Sequence, residues 1–194
     1  MGDEKPTDDA SKQKEVARII REAFAGVTLG NGVGLWWGQV LDDYCVPDSI
    51  ADYRANHERD EERQDWSRIP IEDLERCDTS LCFFDAEGMR FHLPAFMLAK
   101  LDGLNSEDGG WDSVIYSLTL HILDESSTTD YSRNKFSLLD KKQWMAVRTF
   151  LLYCKDHPYY EDFDSPLITR ALNEYWAEEM PTPPQRNQPL TTNH

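Results

Sequence analysis

Apolar residues recur along this chain at two spacings, and each spacing predicts its own kind of element. From Lys12 to Ala25 the positions Val16, Ile19, Ile20, Ala23 and Phe24 fall at i, i+3, i+4, i+7 and i+8. That is the stripe of an amphipathic helix, and Gly26 suits its C-terminal cap. Leu138 to Cys154 repeats the pattern. Trp144, Val147, Leu151 and Cys154 form one line, widened by Phe150. Ser137 and Asp140 are its candidate caps, and His157-Pro158 stops it. A third helix opens at Ser165-Pro166, with Ser165 as cap and Leu167, Ile168, Ala171, Leu172, Tyr175 and Trp176 facing inward. Shorter helices are predicted at Leu35–Tyr44, from Pro47-Asp48 towards Gln64, and from Pro70 to Arg76.

The second spacing is alternation, which predicts strands. Leu81, Cys82, Phe83 and Phe84 form a short apolar run. Asp85-Ala86-Glu87-Gly88 follows as a tight turn, with Gly88 supplying the permissive backbone. Met89, Phe91 and Leu93 then alternate with Arg90 and His92, and Pro94 ends the strand. Ala95 to Leu101 reads as a helix closed by Gly103. In 113–121, Val114, Tyr116, Leu118 and Leu120 face one way, and Ile115, Ser117, Thr119 and His121 the other. The expected fold class is α+β: a mainly helical single domain with a small three-stranded antiparallel sheet (81–85, 89–93 and 113–121). Helices at 12–25, 138–154 and 166–179 cover that sheet. The domain spans 10–180, between a disordered leader (1–9) and a disordered Pro-rich tail (181–194).

Composition narrows the setting. A length of 194 residues suits one domain with a real core, and the six Trp argue for a folded chain. No apolar run approaches the roughly 20 residues of a membrane span, and the polar N-terminus lacks the pattern of a signal peptide. Cysteines at 45, 77, 82 and 154 include no C-x-x-C pair, which suits reduced thiols and a cytoplasmic setting.

Charge changes the picture most. A formal net charge of −16 argues against nucleic-acid and membrane-surface partners. It fits a basic protein partner, mimicry of a nucleic acid, or solubility alone. The acids concentrate in two zones. The first, Asp42 to Asp65, contains Asp42, Asp43, Asp60, Glu61 and Glu62, and the second, Asp156 to Glu179, contains Asp162, Asp164 and Glu178. Each zone reads either as a solvated face or as a docking surface.

Candidate chemistry is sparse. His92 and His121 lie on the polar sides of predicted strands, where Asp85 could join them as a general base pair or a metal site. Cys77, Cys82 and His92 lack zinc spacing, and Ser67, Asp85 and His92 lack a nucleophile elbow. No cofactor is expected. Gly30-Asn31-Gly32-Val33-Gly34 lacks the spacing of a phosphate loop and reads as a turn.

Three blocks carry a resemblance: W-S-R-I-P at 66–70, F-F-D-A-E-G-M-R-F-H-L-P-A-F at 83–96 and F-S-L-L-D-K-K-Q at 136–143. Together they resemble an uncharacterised family of small bacterial proteins, catalogued as a domain of unknown function, over roughly Gly32 to Tyr153. That resemblance implies no catalytic residues. The expectation from the residues is an acidic cytoplasmic module that docks a basic protein, as an immunity protein or inhibitor docks a toxin. The alternative is a hydrolase-like or metal-dependent enzyme using His92, His121 and Asp85.

Overall fold

The computed structural model describes residues 8–42, 47–58, 61–103, 112–119, 133–158 and 164–179. Among them the chain forms α-helices and short 3-10 turns, and no strand. The helices are α1 (Asp8–Ala23), α2 (Leu35–Asp42), α3 (Pro47–Asn56), α4 (Ile71–Arg76), α5 (Ala86–Gly103), α6 (Asp112–Leu118), α7 (Lys141–Asp156) and α8 (Asp164–Glu174). The 3-10 turns are Trp66–Arg68 and Asp78–Cys82.

The α+β expectation is therefore overturned, and each strand fails for a local reason. Asp85 is not a turn residue but the cap of α5. Its Oδ1 accepts the backbone N–H of Gly88 at 2.8 Å, and its carbonyl accepts from Met89 N. The segment 89–93 lies inside α5, where Met89, Phe91, His92, Leu93, Pro94, Ala95, Phe96 and Met97 are all buried. A helix enclosed on every side has no polar face, so it shows no 3.6-residue stripe. Pro94, expected to end a strand, sits within the helix, where its missing N–H leaves the Arg90 carbonyl without its usual helical donor. The run 81–85 begins in the 3-10 turn Asp78–Cys82. In 113–121, the described part is α6, and Tyr116 decides the matter. It is 46% exposed while Val114, Ile115 and Leu118 are buried, a helical grouping and not an alternating one.

The three helices with strong periodicity form as expected, with shifted ends. α1 begins at Asp8, inside the segment assigned to the leader, and ends before Gly26, whose φ of 74° is left-handed. α7 begins three residues later than expected. Asp140 caps it by accepting from Gln143 N at 2.9 Å, while the Gln143 side chain accepts from Asp140 N at 3.1 Å. α8 starts at Asp164 and stops at Glu174, short of Glu179.

Around α5 pack α1, α4, α6 and the turn at Trp66, while α7 packs on α1 and α8. The buried apolar residues join into one cluster from Val16 to Trp176. Three indoles pin distant segments to it. Trp66 Nε1 donates to the Phe24 carbonyl at 2.8 Å, Trp144 Nε1 to Ala177 at 3.0 Å and Trp176 Nε1 to Leu118 at 2.9 Å. Each bond satisfies a polar atom that burial would otherwise penalise by roughly 1–3 kcal/mol. Among the described residues no helix is long and apolar enough to cross a membrane.

Candidate functional site

The glycine segment 30–34 is a structural junction. Val33 N donates to Asp85 Oδ1 at 3.0 Å, which ties the segment to the cap of α5. The approach is close enough to exclude side chains. A Cβ on Gly32 would lie 2.6 Å from Gly88 N, and one on Gly88 would lie 2.5 Å from the Val33 carbonyl. On the other side stands Glu61, whose side chain is 3% exposed. Its Oε1 accepts Trp36 N at 3.0 Å, so it caps the start of α2 from a distant part of the chain. Burial pushes its carboxyl above the usual range, against the opposing pull of the Trp36 N–H and the Arg63 guanidinium. Arg63 bonds Glu61 at 3.2 Å and the carbonyls of Gly30 and Gly32 at 3.0 and 3.3 Å.

His92, a candidate base, lies in the core and is fully buried. Its Nδ1 donates to the Gly88 carbonyl at 2.8 Å, which places the proton there and leaves Nε2 as a bare acceptor. Nε2 has no partner among the described residues. The ring stacks on Phe84 at 4.4 Å and meets Phe91 edge-on at 4.9 Å. Burial pushes its pKa down to about 4, outweighing the Gly88 carbonyl. Asp85, nearby in sequence, spends Oδ1 on two backbone N–H groups. His121 lies outside the described residues. Ser67 Oγ bonds Asp65 at 2.7 Å within the 3-10 turn and points at no histidine partner. Burial pushes the Cys77 thiol up to about 12. Among the described residues no group of three His, Cys, Asp or Glu could hold a metal.

The acidic candidates divide. Glu61 faces inward. Asp42 accepts from Thr79 Oγ1 at 2.9 Å. Glu62 accepts from Gln64 N and Asp65 N, and these N–H groups hold its carboxyl below the usual range. Asp43, Asp60 and Asp162 lie outside the described residues, as does the side chain of Asp164. Glu178 is 83% exposed and 3.7 Å from Arg148. The first zone instead presents acids the candidate set did not include. α3 has little apolar surface and is clipped on by rings: Trp36 stacks on His57 at 3.7 Å, and Trp37 leans on Tyr53 at 5.1 Å. Asp48, Asp52 and Glu58 stay exposed on or beside it.

Two grooves differ in what they offer. One, of about 340 Å³, runs beside the glycine segment and is lined by Trp37, Tyr53, Arg54, Glu58 and Arg63. The other, of about 520 Å³, lies between α1 and α7. It was missed from sequence, although one signal was present: the Leu151-Leu152 pair puts one leucine more on α7 than its inward stripe requires.

Comparison with known proteins bears out the resemblance to a family of unknown function. No curated protein and no solved structure matches the chain. A family of unknown function (DUF6714) matches residues 12–180, and the chain belongs to that family.

Proposed function

We propose that this chain is a cytoplasmic protein-binding module that docks a basic partner through carboxylates, in the manner of an immunity protein or inhibitor. The observation that carries the reading is the way α3 is held. Aromatic clips at Trp36–His57 and Trp37–Tyr53 do the anchoring, so Asp48, Asp52 and Glu58 remain exposed. The net charge of −16 extends that field over the molecule, which speeds encounter with a cation-rich surface. Glu61 has no part in docking, because it is spent on α2. The enzymatic alternative at His92, His121 and Asp85 finds no support at His92, a buried ring with a depressed pKa.

The test is affinity capture from source cells at low and high salt, followed by rebinding of the purified protein retained. The expected result is one basic protein, held at low salt and released at high salt, with weaker binding to an Asp48→Asn, Asp52→Asn variant. Absence of any basic protein at low salt would refute the reading.

A further inference from the structure

The groove between α1 and α7 has a floor of Val16, Ile19 and Leu152. Leu152 is 38% exposed in the middle of a helix whose inward stripe is complete without it. The rim is charged. Asp9, Glu15 and Asp156 line it, with Lys12 and His157 as the opposing basic groups. Tyr153, in the last turn of α7, bonds Asp9 at 3.3 Å, so the first turn of α1 meets the C-terminal end of α7. That end of the groove therefore gathers two carboxylates, Asp9 and Asp156, where the opposed poles of α1 and α7 offset each other. Glu15 and Asp156 also pair with Arg18 and Lys155, both on the same helices as their partners. Such exposed pairs are worth about 1 kcal/mol or less, so an incoming cation can compete for these carboxylates.

The groove beside the glycine segment has the opposite balance, with Arg54 and Arg63 against Glu58, and a third, beside Trp66 and Ile71, is balanced, with Arg21 against Asp102. Charge thus selects the α1–α7 groove for a cation-bearing occupant. Two neighbouring helices with an apolar floor between them select a third helix. From Asp9 to Ile19 the α1 wall is about 15 Å long at 1.5 Å per residue, the reach of roughly three helical turns.

We infer that the α1–α7 groove seats a basic amphipathic helix of the partner, its apolar stripe on Val16, Ile19 and Leu152 and a lysine or arginine at Asp9 and Asp156. The inference rests on the docking function proposed above and adds to the carboxylates of α3 a second contact, in a groove that α3 does not line.

The test uses a fluorescein-labelled helical peptide of about 14 residues, with leucines on one face and lysines elsewhere, and a scrambled peptide of the same composition. The full chain is expected to bind the patterned peptide about tenfold more tightly than the scrambled one, a difference of about 1.4 kcal/mol. Leu152→Glu, at an exposed position, should erase that preference with an unchanged circular dichroism spectrum. Asp9→Asn with Asp156→Asn should weaken binding several-fold and flatten its dependence on salt. Equal binding of the two peptides, or a preference that survives Leu152→Glu, overturns the inference. Self-association in sedimentation that Leu152→Glu abolishes also overturns it, by assigning the groove to a second copy. A basic partner protein that still binds Leu152→Glu with full affinity moves docking elsewhere and leaves the proposed function intact.

Discussion

Glu61 Oε1 accepts the backbone N–H of Trp36 at 3.0 Å, so α2 is capped by a residue that follows α3 in the chain. The bond is part-buried, and Arg63 depends on the same carboxylate. Glu61→Ala leaves the N–H unsatisfied and frees Arg63 from its partner. The expected loss is about 2–3 kcal/mol, read as a lower urea midpoint. Glu61→Gln keeps an acceptor for Trp36 and should lose less. An equal loss in both variants would show that charge, not the cap, carries the effect.

His92 makes stability depend on acid. Its ordinary pKa of 6.5 falls to about 4 in the folded chain, so the unfolded chain binds the proton more readily. Stability is full above pH 6.5 and declines as pH falls towards 4, by about 3 kcal/mol in all. His92→Leu should flatten this part of the profile relative to the parent protein. Urea denaturation at several pH values measures the difference between the two curves, which cancels the contribution of the carboxylates.

Gly88 offers a test in which local preference and packing disagree. Alanine in a helix is favoured over glycine by about 1 kcal/mol. Here the added Cβ would meet the Val33 carbonyl at 2.5 Å, and that carbonyl belongs to backbone held by Asp85. Gly88→Ala is expected to destabilise by about 1–3 kcal/mol. A raised melting temperature would refute the close approach.

Asp140 and Gln143 close the first turn of α7 reciprocally, and Gln143 Oε1 also accepts from Arg90 of α5 at 3.1 Å. Asp140→Ala should cost about 1 kcal/mol. Gln143→Ala should cost more, because it breaks the cap and the link to α5 together. Thermal melts of the two single variants decide this.

How far the fold could be read from the residues depended on whether a helix has a wet side. Val16 and Ile20 on α1, with Phe24 just past its end, and Trp144, Val147 and Leu151 on α7 alternate with solvated positions, so their period is visible. From Met89 to Met97 α5 is enclosed, and its partly buried Arg90 donates to Gln143. A short apolar run of that kind cannot be told from a strand by periodicity. In α6 the deciding residue was Tyr116, whose exposure depends on tertiary packing. The site was harder still. Glu61 stands in sequence beside Asp60 and Glu62 and looks like either. Only the folded glycine segment brings Trp36 N and Arg63 to it. Trp36 and Trp37 stand side by side in the sequence, but nothing there marks His57 and Tyr53 as their partners.

Trp176 is the last indole in the chain and is buried; it leans on Trp144 at 4.4 Å and meets Phe136 edge-on at 5.0 Å while reaching back to Leu118. A ribosome makes those three residues first. Until residue 176 has left the exit tunnel, the ring of Trp144 and the end of α6 have nothing to close over them. The growing chain then presents an apolar face, and the core seals only once residue 176 has emerged.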